Sequence, residues 1–175
     1  MNYFDLYEIP ISFNPNQEAI KEKFYALSKK YHPDFYINES QEKQDEVLEL
    51  STLNNKAFQV LKDDQQRLHY ILELKGQLIE GENYSLPQSF LMEMMDVNEA
   101  IMELTVDSDK AKKESLVGQI SDIENLLSSD LKALTSSFDR SSVIEQEERL
   151  KAIKDVYYRN KYLGRIKESL AKFTT

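Results

Sequence analysis

A chain of 175 residues with 31 Asp and Glu against 22 Lys and Arg, a net charge of −9, and 41% hydrophobic and 30% charged residues has the make-up of one full domain or two small ones in a soluble globular protein. The absence of cysteine excludes a disulfide framework, a thiolate zinc site, a thiol nucleophile and a directly thiolate-ligated iron–sulfur cluster, and leaves His32 and His69 as the only imidazoles. The acidic balance argues against nucleic acid, whose phosphate backbone demands clustered cations, and points to a neutral or basic protein partner.

The opening Met1-Asn2-Tyr3-Phe4 carries neither a basic leader nor an Arg-rich presequence, and no apolar run reaches the length of a membrane span. A mature chain starting here in a cytoplasm is therefore expected, with no membrane association. Four glycines, four prolines and no alternating Val/Ile/Thr-rich segments predict an all-α fold. The apolar opening Tyr3–Tyr7 ends at Ile9-Pro10, and Asn14-Pro15-Asn16 supplies turn chemistry. A first long helix is expected from about Gln17 to Tyr31, with Ile20, Phe24, Leu27 and Tyr31 on a core face. A second begins near Gln41 and carries Val47, Leu50, Leu53, Ala57, Val60 and Leu61, so the two should form an antiparallel hairpin across the turn at 31–40. A shorter helix with Leu68, Ile71, Leu72 and Leu74 closes at Lys75-Gly76, a cation followed by glycine.

Gly76–Pro87 holds two of the four glycines and one proline and is expected to be a linker between a first domain, 1–75, and a second, 88–175. Three helices are expected beyond it, at about Gln88–Thr105, Ser108–Phe138 and Ser142–Lys172. Leu116, Ile120, Ile123, Leu127, Leu131 and Leu134 form one apolar stripe; Leu150, Ile153, Tyr157, Leu163, Ile166 and Leu170 form another. With the short acidic helix they make a three-helix bundle, and no solenoid repeat or low-complexity tract interrupts them.

The turn at 31–40 contains His32-Pro33-Asp34. Proline fixes φ, lacks an amide donor and biases the preceding residue away from helical geometry, so the first helix must stop at Tyr31. The plain reading is a helix stop with a polar turn. The helix before it carries Lys21, Lys23, Lys29 and Lys30 in an otherwise acidic protein, which is either a solvated face or a cationic surface that steers an acidic partner.

Residues 77–109 hold eight carboxylates and no Lys or Arg. Met92, Asp96, Glu99 and Glu103 recur at three- and four-residue spacing, and like charges so placed weaken an isolated helix unless a cationic partner neutralises them. Four of the five methionines lie between Met92 and Met102. They are either bundle core or, as a patch of Leu91, Met92 and Met95 rimmed by acids, an adaptable protein-docking surface. A carboxylate metal centre of the di-iron type needs Glu-x-x-His pairs on facing helices, and no histidine follows His69. No nucleophile or paired-carboxylate pocket is indicated, so neither a metal, a cofactor nor an enzymatic activity is expected.

Lys29-Lys30-Tyr31-His32-Pro33-Asp34, Asn55-Lys56-Ala57-Phe58-Gln59-Val60-Leu61 and Gln66-Arg67-Leu68-His69-Tyr70 together resemble a J-domain. That resemblance implies that the His32-Pro33-Asp34 loop and the cationic helix before it, with Lys21, Lys23, Lys29 and Lys30, engage a DnaK-type chaperone and stimulate its ATP hydrolysis. Tyr25-Ala26 stand where many J-domains have two cations, and Phe35 follows Asp34 where a basic residue is usual.

Phe90-Leu91-Met92-Glu93-Met94-Met95-Asp96-Val97-Asn98-Glu99, shortly after Tyr70-Ile71-Leu72-Glu73-Leu74-Lys75-Gly76, narrows the resemblance to the HscB family of iron–sulfur assembly co-chaperones. It implies that the bundle holds an IscU-type scaffold protein through Leu91, Met92, Met95, Asp96, Glu99 and Glu103 and delivers it to an HscA-type chaperone. An aromatic between a cation and a leucine on the last helix matches Lys161-Tyr162-Leu163 and implies a scaffold contact at Tyr162. Asp63-Asp64 stand where relatives often carry a proline, and the zinc-binding cysteine segment of some eukaryotic members is lacking, which implies a bacterial-type protein. Two other readings stay open on the sequence: a J-domain protein with a different client, and a non-chaperone helical protein that self-associates; a weak homo-oligomer is compatible with any of them.

Overall fold

The computed structural model describes residues 1–173, and among them every regular element is helical. They fall into two compact units, Met1–Lys75 and a second that begins at Gly76.

In the first unit α1 (Tyr3–Leu6) is a single turn closed by a capping box: Asn2 accepts from the Asp5 amide at 3.0 Å, and Asp5 accepts from the Asn2 amide at 3.2 Å. This reciprocal bonding makes a helix of the apolar opening, and it seats Phe4 and Tyr7 with no exposed surface. Asn16 caps α2 (Gln17–Lys30), Ser40 caps α3 (Gln41–Lys62) and Asp63 caps α4 (Asp64–Leu74). Asp63 thus holds the Gln66 amide at 2.9 Å.

Helices α2 and α3 form the expected antiparallel hairpin: Phe24 stacks on Phe58 with centroids 4.1 Å apart, while four residues later Ser28 meets Asn54, four residues earlier on α3. Of the expected α2 core face only Ile20 is fully buried, and Phe24, Leu27 and Tyr31 lie half-covered at the hairpin edge. Two polar side chains replace part of the apolar core. Asn54 accepts the Tyr7 hydroxyl at 2.9 Å and donates to the Phe24 carbonyl and Ser28 hydroxyl at 3.1 and 3.0 Å. Arg67 donates to the carbonyls of Phe13 and Leu61 at 3.1 and 2.7 Å and pairs with Asp64. Both are buried, at 1% and 5% exposure, and both are satisfied, which is the condition for a polar group to be tolerated there.

The second unit is a bundle of α5 (Gln88–Val106), α6 (Lys110–Thr135) and α7 (Val143–Lys172). Phe90, Met94, Val97 and Ile101 of α5 interlock with Leu116, Ile120, Ile123 and Leu127 of α6, both sets at four-three-four spacing, and with Val156, Leu163 and Ile166 of α7. Two details depart from the expected pattern. The middle helix ends at Thr135, not Phe138, because Arg149 donates to the Leu134 carbonyl and the Ser137 hydroxyl, at 3.2 and 2.9 Å; Phe138 then folds back into the core in a short 3₁₀ turn, Phe138–Arg140. On α7 the buried position is Val156 rather than Tyr157, three residues after Ile153, and Tyr157 lies half-buried beside it.

No helix forms over 76–87, where Gly76 and Gly81 both take left-handed φ, 69° and 76°. The stretch is nonetheless anchored within its unit. Tyr84 stacks on Tyr158 of α7 with centroids 4.5 Å apart and donates to Asp155 at 2.8 Å, and Lys154 pairs with Glu82 at 2.8 Å.

Candidate functional site

Two surfaces, one on each unit, carry the residues singled out in the sequence. On the first unit, His32 takes extended geometry (φ −72°, ψ 122°), as a residue before proline must, and Pro33 opens a 3₁₀ turn, Pro33–Tyr36, at the position where a missing amide costs nothing. The His32 ring caps that turn, with Nδ1 accepting the Asp34 amide at 3.3 Å. The Phe35 amide donates to the His32 carbonyl at 3.1 Å, and the Tyr36 hydroxyl ties the turn to α2 by donating to the Lys30 carbonyl at 2.8 Å. The expected polar turn is therefore a small rigid knob with His32, Pro33 and Asp34 all exposed. Phe35 adds an apolar element to this knob. Its ring lies 5.6 Å from His32 and is 69% exposed.

The four lysines do not share one face. At about 100° per residue, Lys23 and Lys30 fall on one stripe of α2, and Lys21 and Lys29 lie on the other side. Lys23 is paired with Glu8, whose carboxyl is held below its usual range by that ammonium, and Lys21 sits 3.7 Å from Glu18. Lys29 and Lys30, next to the knob, form no salt bridge among the described residues, although the Lys30 charge adds to the lowering of the Glu8 carboxyl, and the Lys30 ammonium lies 5.1 Å from the centre of the Tyr31 ring. The cations nearest the knob are thus the ones not tied up in a salt bridge.

On the second unit, α5 sorts its four-residue pattern into two sides. Phe90, Met94, Val97 and Ile101 face the core; Met92, Met95, Asp96, Glu99 and Glu103 are exposed, with Leu91 half-covered between them. The methionines therefore split. Met94 is core at 0% exposure, whereas Met92 and Met95 expose 59% and 60% of their surface, so the core reading holds for the first and not for the other two. Asp96, Glu99 and Glu103 form no ion pair among the described residues.

Leu91, Met92 and Met95 open into a groove of about 720 Å³ whose other walls are Tyr158, Lys161, Tyr162 and Arg165 of α7 and the anchored stretch at 82–86. Tyr162 is fixed against the core by an edge-on contact with Phe90 at 6.1 Å. The sequence pointed to Tyr162 but not to Tyr158 or Arg165; their spacing of four and three residues from Tyr162 is the signal that marks a shared helix face. Tyr84, whose hydroxyl is raised to about 12 by burial and by its bond to Asp155, is a wall residue that no helical periodicity could disclose.

Among the described residues no group of three or more His, Asp or Glu side chains converges as a metal site, and no helix is long and apolar enough to cross a membrane. Each surface combines charge with exposed apolar atoms, a combination suited to gripping another protein.

Comparison with known proteins agrees with this division. Residues 2–70 match the family described as DnaJ domain, and residues 86–171 match the family described as HSCB C-terminal oligomerisation domain. The co-chaperone protein HscB of Buchnera aphidicola subsp. Acyrthosiphon pisum is 33% identical over 121 residues, 69% of this chain and 70% of that protein. The HscB homolog of Shewanella amazonensis is 28% identical over 156 residues, 88% of this chain and 90% of the relative. Among solved structures, the human co-chaperone protein HscB shares the fold with a TM-score of 0.73 at 23% identity, covering 98% of this chain and 81% of that one. The chaperone HscB from Vibrio cholerae aligns with a TM-score of 0.63 at 25% identity, covering 97% and 99%. With a DnaJ domain carrying an exposed His-Pro-Asp knob and a helical bundle matching the HscB-specific domain, this chain belongs to the HscB family of J-domain co-chaperones.

Proposed function

We propose that this protein captures an IscU-type scaffold on the groove and acidic strip of its bundle and presents it to an HscA/DnaK-type chaperone, whose ATP hydrolysis it stimulates through His32, Pro33 and Asp34. Lys29 and Lys30 act as the main electrostatic contacts to that chaperone, with Lys21 and Lys23 flanking them. Leu91, Met92, Met95 and Tyr162 supply the apolar contact to the scaffold, and Asp96, Glu99 and Glu103 its charged rim. The protein works as an adaptor in a bacterial cytoplasm and performs no chemistry of its own.

The observation that carries this reading is the pair of roughly 60% exposed methionines beside three unpaired carboxylates. Apolar surface left in water at a helix face, on a bundle that already has a complete core, is most simply explained by a partner that covers it. Holding scaffold and chaperone on one chain raises their effective concentration, so each contact need only be moderate.

Single-turnover hydrolysis by the cognate chaperone tests the reading. The parent chain accelerates hydrolysis and scaffold accelerates it further. His32→Gln removes both effects, and the combined Leu91→Ala, Met92→Ala and Met95→Ala variant loses only the scaffold-dependent part. Stimulation by His32→Gln equal to that of the parent would rule out the role given to the knob.

Self-association is a second reading, favoured by the description of the family matched by residues 86–171 as an oligomerisation domain. Sedimentation over a range of concentrations distinguishes a dimer from a monomer.

A further inference from the structure

From the groove beside α5 we infer that the scaffold segment it takes is charge-paired: the segment carries a carboxylate next to the apolar side chain that fills the groove, and Lys161 and Arg165 hold that carboxylate. This deepens the scaffold-binding role proposed above and rests on it.

The first support is an inventory of cations on α7. Lys154 pairs with Glu82 at 2.8 Å, Arg159 with Asp155 at 2.6 Å and Lys167 with Glu124 at 2.7 Å, and Arg149 donates to the Leu134 carbonyl. Lys151, Lys161, Arg165 and Lys172 have no such partner among the described residues, although the chain has an excess of nine acidic charges, and of these four only Lys161 and Arg165 lie at the groove.

Their position gives the second support. Tyr158, Lys161, Tyr162 and Arg165 recur at three, one and three residues, so they form one face of α7, opposite Leu91, Met92 and Met95 across the groove. An apolar floor lowers the local dielectric once a partner covers it, which strengthens a carboxylate–guanidinium or carboxylate–ammonium contact at its edge. Arginine at one of the two positions also offers a forked donor set that fits a carboxylate in two-bond geometry.

The groove is therefore polar in one direction. Cations stand along the α7 edge, while the exposed carboxylates Asp96, Glu99 and Glu103 continue along α5. A scaffold segment presenting cations to α5 and a carboxylate to α7 fits in one orientation only, because the reversed orientation sets like charges against each other on both sides. The acidic strip alone would accept any basic surface; the second, opposite charge at the groove supplies selectivity.

The test is calorimetric titration of the organism's own IscU-type scaffold into the full chain, the Lys161→Glu/Arg165→Glu variant, the Lys161→Gln/Arg165→Gln variant and the Leu91→Ala/Met92→Ala/Met95→Ala variant. Both cations belong to a well-anchored helix, and thermal melts check that each variant is folded. The expected result is a weakening of about tenfold for the Gln pair and about a hundredfold for the Glu pair, as loss and then reversal of a charge-paired contact imply. A further expected result is a shallower dependence of the dissociation constant on salt for the Gln pair. Affinity unchanged in the Glu pair, with the triple-alanine variant weakened, would overturn the charge-pairing inference and leave the scaffold-binding role intact. No binding by the parent chain would overturn both.

Discussion

Tyr84 lies flat on Tyr158, with ring centroids 4.5 Å apart and planes 8° from parallel, so a stretch with no secondary structure becomes a wall of the groove. Backbone that is neither helix nor strand needs tertiary anchors to stay in place, and here they come as a set: the stacked rings, the Tyr84 hydroxyl on Asp155, and the Lys154–Glu82 pair beneath them.

Removing the anchors should show how much of the groove depends on them. Tyr84→Phe keeps the stack and loses the 2.8 Å bond to Asp155, so it should cost about 1 kcal/mol of bundle stability. Tyr84→Ala removes the half-buried ring as well and should cost about 2 kcal/mol, read by urea unfolding. Scaffold affinity should fall with Tyr84→Ala and stay near the parent value with Tyr84→Phe.

The Glu82 carboxyl is held below its usual range, chiefly by its hydrogen bond to Lys154, with the charge of that ammonium adding to it. A folded-state value below the unfolded one gives stability that is complete above the ordinary carboxylate range and is lost as pH falls through the depressed value. Glu82→Gln should therefore unfold at lower urea than the parent at pH 7, and the two urea midpoints should converge as the pH falls through and below that depressed value. A gap that persisted at acid pH would assign the effect of Glu82 to packing rather than to its charge.

The three methionines of the α5 midsection allow stability and binding to be separated. Met94, fully buried, should cost about 3 kcal/mol when changed to alanine, as core Met→Ala substitutions do. Met92→Ala and Met95→Ala, at roughly 60% exposure, should each stay within about 0.5 kcal/mol of the parent in unfolding. Scaffold affinity should show the reverse order, with Met92→Ala and Met95→Ala each reducing it and folded Met94→Ala protein binding nearly as well.

That contrast also marks where sequence reasoning stops. Stripes such as Leu116, Ile120, Ile123 and Leu127 declare their inward face because only one side of the helix is apolar. Met92, Met94 and Met95 put the same flexible side chain on both sides, and only the placement of Phe90, Val97 and Ile101 against the core decides which is which. The His-Pro-Asp turn was legible because proline acts on its own neighbours, whereas the wall at Tyr84 depends on a ring 74 positions further on. The middle helix stops three residues before the Phe138 that periodicity predicts for a related reason: its end is held by Arg149, on another helix. The all-helical architecture, built from local periodicity, is the part of the fold that the chain announces most directly.

Arg67 belongs to the Gln66-Arg67-Leu68 run by which the first unit resembles a J-domain, yet its surroundings give it a structural task. It is 5% exposed, donates to the Phe13 and Leu61 carbonyls at 3.1 and 2.7 Å, and so joins the end of α3 and the loop before α2 to α4. A lysine has one compact ammonium and cannot serve these diverging acceptors as a planar guanidinium does. Arg67→Lys should therefore cost about 2 kcal/mol and Arg67→Met at least as much, since each leaves a buried carbonyl without its donor. Both should lower the melting temperature of the first unit while the folded fraction, corrected for the unfolded population, still stimulates the chaperone at the parent rate per molecule. A loss of stimulation in fully folded Arg67→Lys protein would move Arg67 from the scaffold of the knob to the contact itself.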